Sequence, residues 1–102
     1  NSGHWTIEGA RTSQFEQHVR AIAGWPLGAT VRVAGVEMIN LIGEEANRWS
    51  DWASSPDAHV HLYGKRDARS GRKMGHVNFV GKTSSAVESV CQEAIQVLKI
   101  AR

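Results

Sequence analysis

The chain has one cysteine, two prolines and no apolar run approaching the ~20 residues that a membrane helix needs. Cys91 alone cannot form an internal disulfide, which removes the small disulfide-stapled scaffolds from consideration and fits a reducing cytoplasm. The first residues, Asn1-Ser2-Gly3-His4, carry neither the basic start nor the apolar stretch of a secretory signal. Internal repeats and low-complexity tracts are also missing, so a solenoid or a fibrous array is not expected.

What is present is ordinary in amount. The 102 residues are 41% hydrophobic and 22% charged, enough for one compact domain or for one small domain with a segment of another. The net charge is +2, but it is unevenly placed. Five of the 12 Lys and Arg and one of the 10 Asp and Glu lie within residues 65–73. That stretch therefore carries +4, while the remaining seven cations and nine anions give −2. A local cluster of this kind is better explained by a site than by solubility.

Periodicity predicts an α+β chain. The first 11 residues read as irregular or short extended structure. Ser13 and Glu16 have the spacing of a capping box, and Phe15, Val19, Ile22 and Ala23 follow at helical spacing, which predicts a helix over 13–23. Gly24-Trp25-Pro26-Leu27-Gly28 ends it and is the best candidate for a domain boundary. Residues 30–42 are rich in β-branched and apolar side chains and predict one strand or two, with Gly35 as a bulge or bend. A short helix follows over 44–53, with Ala46, Trp49 and Ala53 on one face, and then a turn over 54–57. Residues 59–63 and 76–80 alternate as two strands of a hairpin, with Val60 and Leu62 facing one way and His59, His61 and Tyr63 the other, Val77 and Phe79 on one face, and the basic loop between them. Ser85 and Glu88 form a second capping box. Val87, Val90, Cys91, Ala94, Ile95 and Leu98 then mark an amphipathic helix, with Cys91 a small buried hydrophobe.

The loop from Lys65 to His76 is the strongest functional signal. Arg can hold a phosphate through two parallel donors and Lys adds a compact charge, while Gly71 and Gly75 would let the backbone turn and approach an anion. A solvated hairpin tip whose charges discourage edge pairing accounts for the same residues, and composition leaves both readings open. His59, His61 and His76 on one strand face could hold zinc, but the polar face of a half-buried sheet explains them at less cost. Gly81-Lys82-Thr83 lacks the earlier glycine of a Walker A loop, because position 76 is histidine. Trp25, Trp49 and Trp52 read as packing and interface residues. An anion- or RNA-binding module built on the basic loop, flanked by Tyr63 and Phe79, is the alternative function, though one short patch is a weak nucleic-acid footprint.

Three segments resemble the 5-(carboxyamino)imidazole ribonucleotide synthase family, the ATPase subunit of bacterial phosphoribosylaminoimidazole carboxylase. They are Asn1-Ser2-Gly3-His4-Trp5-Thr6 with Thr12-Ser13-Gln14-Phe15-Glu16-Gln17-His18; Met38-Ile39-Asn40-Leu41-Ile42-Gly43; and His61-Leu62-Tyr63-Gly64-Lys65 with Gly71-Arg72-Lys73-Met74-Gly75-His76-Val77. They occur in the family's order and span most of the chain.

The resemblance implies the C-terminal part of an ATP-grasp ligase of de novo purine biosynthesis, which uses ATP and Mg²⁺ to activate bicarbonate and carboxylates 5-aminoimidazole ribonucleotide. By residue-to-residue match, Lys65, Arg72 and Lys73 fall near the substrate phosphate. Asn1 and His4, with Ser2 between them, fall beside the substrate and bicarbonate pocket. No catalytic residue and no metal ligand is carried over, because the family's ATP- and Mg²⁺-binding residues precede the segment matched here. The resemblance further implies that residues 1–29 are the end of the ATP-grasp domain and that residues 30–102 form a small domain of rudimentary single-hybrid type. It implies a homodimer whose partners are substrates and the rest of the same polypeptide, with no membrane or nucleic acid, and a chain inactive alone.

Overall fold

The computed structural model describes residues 2–64 and 70–98. Its centre is a three-stranded antiparallel sheet of β1 (Gly35–Ile42), β2 (Ala58–Leu62) and β3 (Lys73–Gly81), in the order β1-β3-β2. The predicted hairpin is present, with Ala58 opposite Phe79, Val60 opposite Val77 and His61 opposite His76. On the other side Ile39 faces Val77 and Asn40 faces His76, until a register shift after Leu41 brings Ile42 opposite Lys73. The last strand made is thus the central one, and its alternate side chains define both faces of the sheet.

One face is the apolar core. Ile39, Leu41, Met74, Val77 and Phe79 are buried there together with Ala46, Trp52 and Cys91. Trp52 meets the edge of Phe79 at a centroid distance of 6.2 Å. Helix α4 (Ser84–Leu98) covers this face with Val87 and Cys91 buried and Val90, Ala94 and Ile95 half-buried, as its apolar spacing predicts. Its cap differs from the expectation. Thr83, not Ser85, accepts the first free amide, from Ala86 at 3.2 Å. Ser85 lies inside the helix, where its carbonyl accepts the Ser89 hydroxyl. The start moves forward because Gly81 ends β3 in close packing against Val87, leaving two residues to turn into the helix.

Between β1 and β2 the predicted single helix is instead a 3₁₀ segment (Gly43–Arg48) followed by α3 (Trp49–Trp52). The Glu45 carboxylate accepts the Ile42 amide at 3.0 Å and closes its first turn. Ala46 and Trp52 are buried, whereas Trp49 and Ala53 are exposed, contrary to the predicted Ala46/Trp49/Ala53 stripe. That stripe assumed 3.6 residues per turn, and the first six residues run at three.

The other face is polar and yet buried, where a half-solvated surface was expected. It is covered by the N-terminal segment, which folds into a short helix α1 (Thr6–Gly9) rather than remaining irregular. Thr6 explains part of this: its hydroxyl donates to the Gly3 carbonyl at 2.6 Å and accepts the Gln14 amide at 3.0 Å. Residues 9–11 then pair with 31–33, through Arg11 N–H to the Val31 carbonyl at 2.9 Å and Val33 N–H to the Gly9 carbonyl at 2.8 Å. Residues 30–34 therefore form a single bridge and not a strand, and Gly35 opens β1 instead of interrupting it.

Helix α2 (Gln14–Ile22) begins as predicted, with the Ser13 hydroxyl accepting the Glu16 amide at 3.1 Å. The Gln17 side chain bonds both backbone groups of Gly28, at 2.7 and 2.8 Å, which holds the glycine- and proline-bearing stretch against the helix. Its apolar stripe faces outward: Phe15 is 49% exposed, Val19 63% and Ile22 74%. No helix among the described residues is long and apolar enough to cross a membrane.

Candidate functional site

The two segments expected to carry the site, separated by some 60 residues of sequence, meet at Tyr63. This residue leaves β2 where the basic loop begins, and its amide donates to the Met74 carbonyl at 3.0 Å, closing the hairpin. Its hydroxyl lies 3.0 Å from His4 Nδ1 and 2.9 Å from His76 Nδ1. His4, from the N-terminal segment, is thereby joined to the base of the loop that carries Arg72 and Lys73.

Around this junction is a closed set of polar contacts. Asn78 donates through Nδ2 to the His4 carbonyl at 3.0 Å and to Glu8 Oε1 at 2.9 Å. His61 Nε2 meets the same Glu8 oxygen at 2.8 Å. The imidazoles of His61 and His76 stack with centroids 4.6 Å apart and planes 20° apart, and His4 lies 4.8 Å from His76 on a tilted plane. Phe15 packs on His4 at 5.3 Å. His76 is 1% exposed and Asn78 is fully buried. Burial pushes the His76 imidazole down to about 4, with the neighbouring His61 and His4 adding to the effect and Glu8 opposing it. Burial also lowers His4. Both rings are therefore neutral near pH 7. Two polar atoms of the network, His76 Nε2 and Asn78 Oδ1, are buried without a hydrogen-bond partner.

This arrangement suits hydrogen bonding better than metal ligation. Stacked rings direct their nitrogens along parallel planes and not at one point. His59 is exposed, and no three His, Cys, Asp or Glu side chains among the described residues are placed to hold one metal ion.

Of the expected phosphate-binding residues, Arg72 is half-buried and its carbonyl accepts the Gly43 amide at 2.8 Å, so its backbone is fixed at the end of β1. Lys73 is exposed at the first position of β3. Gly71 has a φ of 79°, the left-handed turn for which glycine is suited. Gly75 has a different part from the one expected. It is buried inside β3, where a Cβ would strike the His61 carbonyl, so it serves the approach of β2 and not of an anion. Ser2 is exposed, and Asn1 and Lys65 lie outside the described residues. A separate cavity of about 390 Å³ is lined by Asp51, Ser55, Asp57, Val90, Glu93 and Ala94. Its three carboxylates make it unsuited to a phosphate.

Glu8 and Asn78 were missed from sequence. Asn78 carried a signal, being a polar residue at an inward position of a strand flanked by Val77 and Phe79. Glu8 carried none, because its partners are 53 and 70 residues away.

Residues 37–90 match the family model described as the phosphoribosylaminoimidazole carboxylase C-terminal domain. The N5-carboxyaminoimidazole ribonucleotide synthase of Mycobacterium tuberculosis is 48% identical over 103 residues, covering 92% of this chain and 23% of that protein. That of Vibrio vulnificus is 49% identical over 88 residues, covering 86% and 23%. Among solved structures, the Aspergillus clavatus carboxyaminoimidazole ribonucleotide synthase complexed with ATP superposes with a TM-score of 0.89 at 38% identity, covering all of this chain and 28% of that one. A second structure of that fungus's enzyme, with ADP and 5-aminoimidazole ribonucleotide, gives 0.88 at 38% identity, covering 97% and 28%. The Thermus thermophilus synthetase gives 0.83 at 43% identity, covering 93% and 26%. This chain thus spans about a quarter of the length of the relatives it matches.

Proposed function

The chain belongs to the phosphoribosylaminoimidazole carboxylase C-terminal domain family, and from that premise we propose that it supplies the substrate-phosphate side of an ATP-grasp ligase that carboxylates 5-aminoimidazole ribonucleotide with bicarbonate. In this reading residues 1–29 close the ATP-grasp domain and residues 30–102 form the small domain beyond it. ATP phosphorylates bicarbonate, the carboxyphosphate so formed carboxylates the substrate amine, and ADP and phosphate leave. A relative's structure holds ADP together with 5-aminoimidazole ribonucleotide, a substrate whose 5′-phosphate is the anion that a loop carrying +4 would recognise. A mononucleotide phosphate fits this one compact patch better than an RNA backbone, which calls for a longer basic track.

The observation that carries the reading is the junction at Tyr63, which brings the His4 segment to the base of the Arg72/Lys73 loop. Arg72 and Lys73 hold the phosphate, with Lys65 as the third cation. Asn1, Ser2 and His4 lie toward the amine and bicarbonate. ATP and its metal are assigned to the larger part of the polypeptide that the relatives possess. The exposed stripe of Phe15, Val19 and Ile22 is the surface on which that part packs. The isolated chain is then inactive.

The test is substitution in the full-length ligase. Arg72→Ala and Lys73→Ala are each expected to raise the KM for 5-aminoimidazole ribonucleotide by roughly 10- to 100-fold with a smaller change in kcat, the loss of one charge-assisted hydrogen bond of ~1.5–3 kcal/mol. An unchanged KM in both variants overturns the phosphate assignment.

A further inference from the structure

We infer that Asn78 and Glu8 are positioning residues that lock the turn carrying His4 onto the strand carrying Lys73, so that the substrate amine meets carboxyphosphate before that intermediate breaks down. This deepens the reading above and rests on its placement of His4 toward bicarbonate and of Arg72 and Lys73 on the phosphate.

The hold is made at two points. The Asn78 side-chain amide has two hydrogens and two acceptors in the N-terminal segment, the His4 carbonyl at 3.0 Å and Glu8 Oε1 at 2.9 Å. Residues 4 and 8 are about one helical turn apart, so both acceptors lie on the same side of the turn and α1. One donor alone would leave the segment free to swing about it; two from a single planar amide fix its orientation. Glu8 Oε1 is gripped a second time, by His61 Nε2 at 2.8 Å, which ties the same point to β2. The His4 carbonyl also accepts the Ile7 amide at 3.2 Å, so the turn closes on itself where Asn78 takes hold.

Packing does not account for this amide. Asn78 is fully buried, and its Oδ1 has no hydrogen-bond partner. Apolar side chains of the same shape in place of both partners would fill the volume without that desolvation cost. What the amide supplies, and packing does not, is a defined angle between β3 and the His4 turn. The same strand begins at Lys73, and the Arg72 carbonyl beside it accepts the Gly43 amide. At roughly 3.3 Å per residue, β3 sets about 17 Å between the backbone of the phosphate contact and that of the His4 clamp.

Carboxyphosphate has two fates, and geometry selects between them. The substrate nitrogen attacks its carboxyl carbon, the C–O bond to phosphate breaks, the nitrogen loses a proton, and carboxylated product and phosphate leave. With the nitrogen out of reach, the same C–O bond breaks without it and gives carbon dioxide and phosphate. ATP is consumed either way, so the position of the amine decides whether each phosphate is matched by product.

In the full-length ligase, phosphate released per carboxylated product reads this lock. Asn78→Ala and Glu8→Ala should raise the ratio roughly threefold or more over the parent, with carboxylation falling about 10- to 100-fold, phosphate release falling less, and the ribonucleotide KM within about twofold. Glu8→Gln keeps an acceptor oxygen for both donors and should stay close to the parent. His61→Leu removes one grip on Glu8 from a half-buried position and should give a smaller rise; it carries the test if thermal unfolding shows Asn78→Ala unfolded. A merely structural loss lowers both rates together and leaves the ratio unmoved. An unmoved ratio in the folded variants, or an equal rise in Glu8→Ala and Glu8→Gln, overturns the inference. If Arg72→Ala nevertheless raises KM, the phosphate reading survives that failure; if KM is unchanged in both cation variants, the reading falls and the inference with it.

Discussion

The two faces of the sheet share one central strand and are built on opposite principles. On one, Val77 and Phe79 are sealed by Trp52, Val87 and Cys91, and the contacts are apolar apart from the buried Trp52 indole N–H. On the other, His76 and Asn78 are equally buried, but Asn78 is held by atoms from the far end of the chain and His76 by the Tyr63 hydroxyl, which also meets His4. Apolar packing needs shape and register but is indifferent to pH. A polar interior works only when donors and acceptors match, and here two atoms remain unmatched. The difference teaches that one strand can anchor a fold with one set of side chains and position a site with the other.

Three experiments would break or sharpen that comparison. Phe79→Ala should cost about 3–5 kcal/mol, the transfer and cavity terms for a buried phenyl ring, and the loss should be the same at pH 7 and pH 5. Urea unfolding at both values checks it; a loss that changes with pH would mean that the faces are not independent.

The second effect belongs to the polar face alone. His76 resists protonation down to about 4 in the folded state, against the ordinary 6.5 of an unfolded histidine. Its contribution is complete above about pH 6.5 and is lost as the pH falls from there toward 4, by roughly 3 kcal/mol. Unfolding midpoints across that window should decline in the parent chain and decline less in His76→Gln. Equal slopes in the two would place the acid sensitivity elsewhere.

The smallest effect is the most local. Asn78→Ala removes the bonds to the His4 carbonyl and to Glu8 and should cost about 2 kcal/mol. Amide exchange should quicken at residues 4–9 before it changes in α4. A uniform increase over the whole chain would argue that the N-terminal segment is not a separately held layer.

These differences also set what was legible beforehand. The α4 stripe, the Ser13 cap and the pairing of 59–63 with 76–80 follow from periods of 3.6 and 2 or from short-range capping, so they could be read from neighbouring residues. The 3₁₀ segment at Gly43–Arg48 and helix α1 could not, since neither carries an apolar period of its own. The site was half legible. Arg72 and Lys73 stand out by charge, and His4 entered through the family resemblance. The junction at Tyr63 joins residues 59 and 13 positions distant, and Glu8 and Asn78 meet across 70. No local pattern encodes such closures, because only the tertiary fold brings the donor to its acceptor.

The strand order β1-β3-β2 has a consequence for the chain as it is being made. Neither β1 nor β2 has a hydrogen-bonding neighbour until β3, whose last residue is Gly81, has been synthesised. At roughly 5–20 residues per second, the stretch from the end of β1 to the end of β3 takes about 2–8 s to translate. During those seconds Ile39 and Leu41 lie on a strand with both edges open, the state most prone to pairing with another chain. The segment that carries His4 and Glu8, though translated before the sheet, has no β3 surface to close upon until the same moment. Sheet and site thus wait on a single late event, and a ribosome stalled before Gly81 would present a nascent chain with neither.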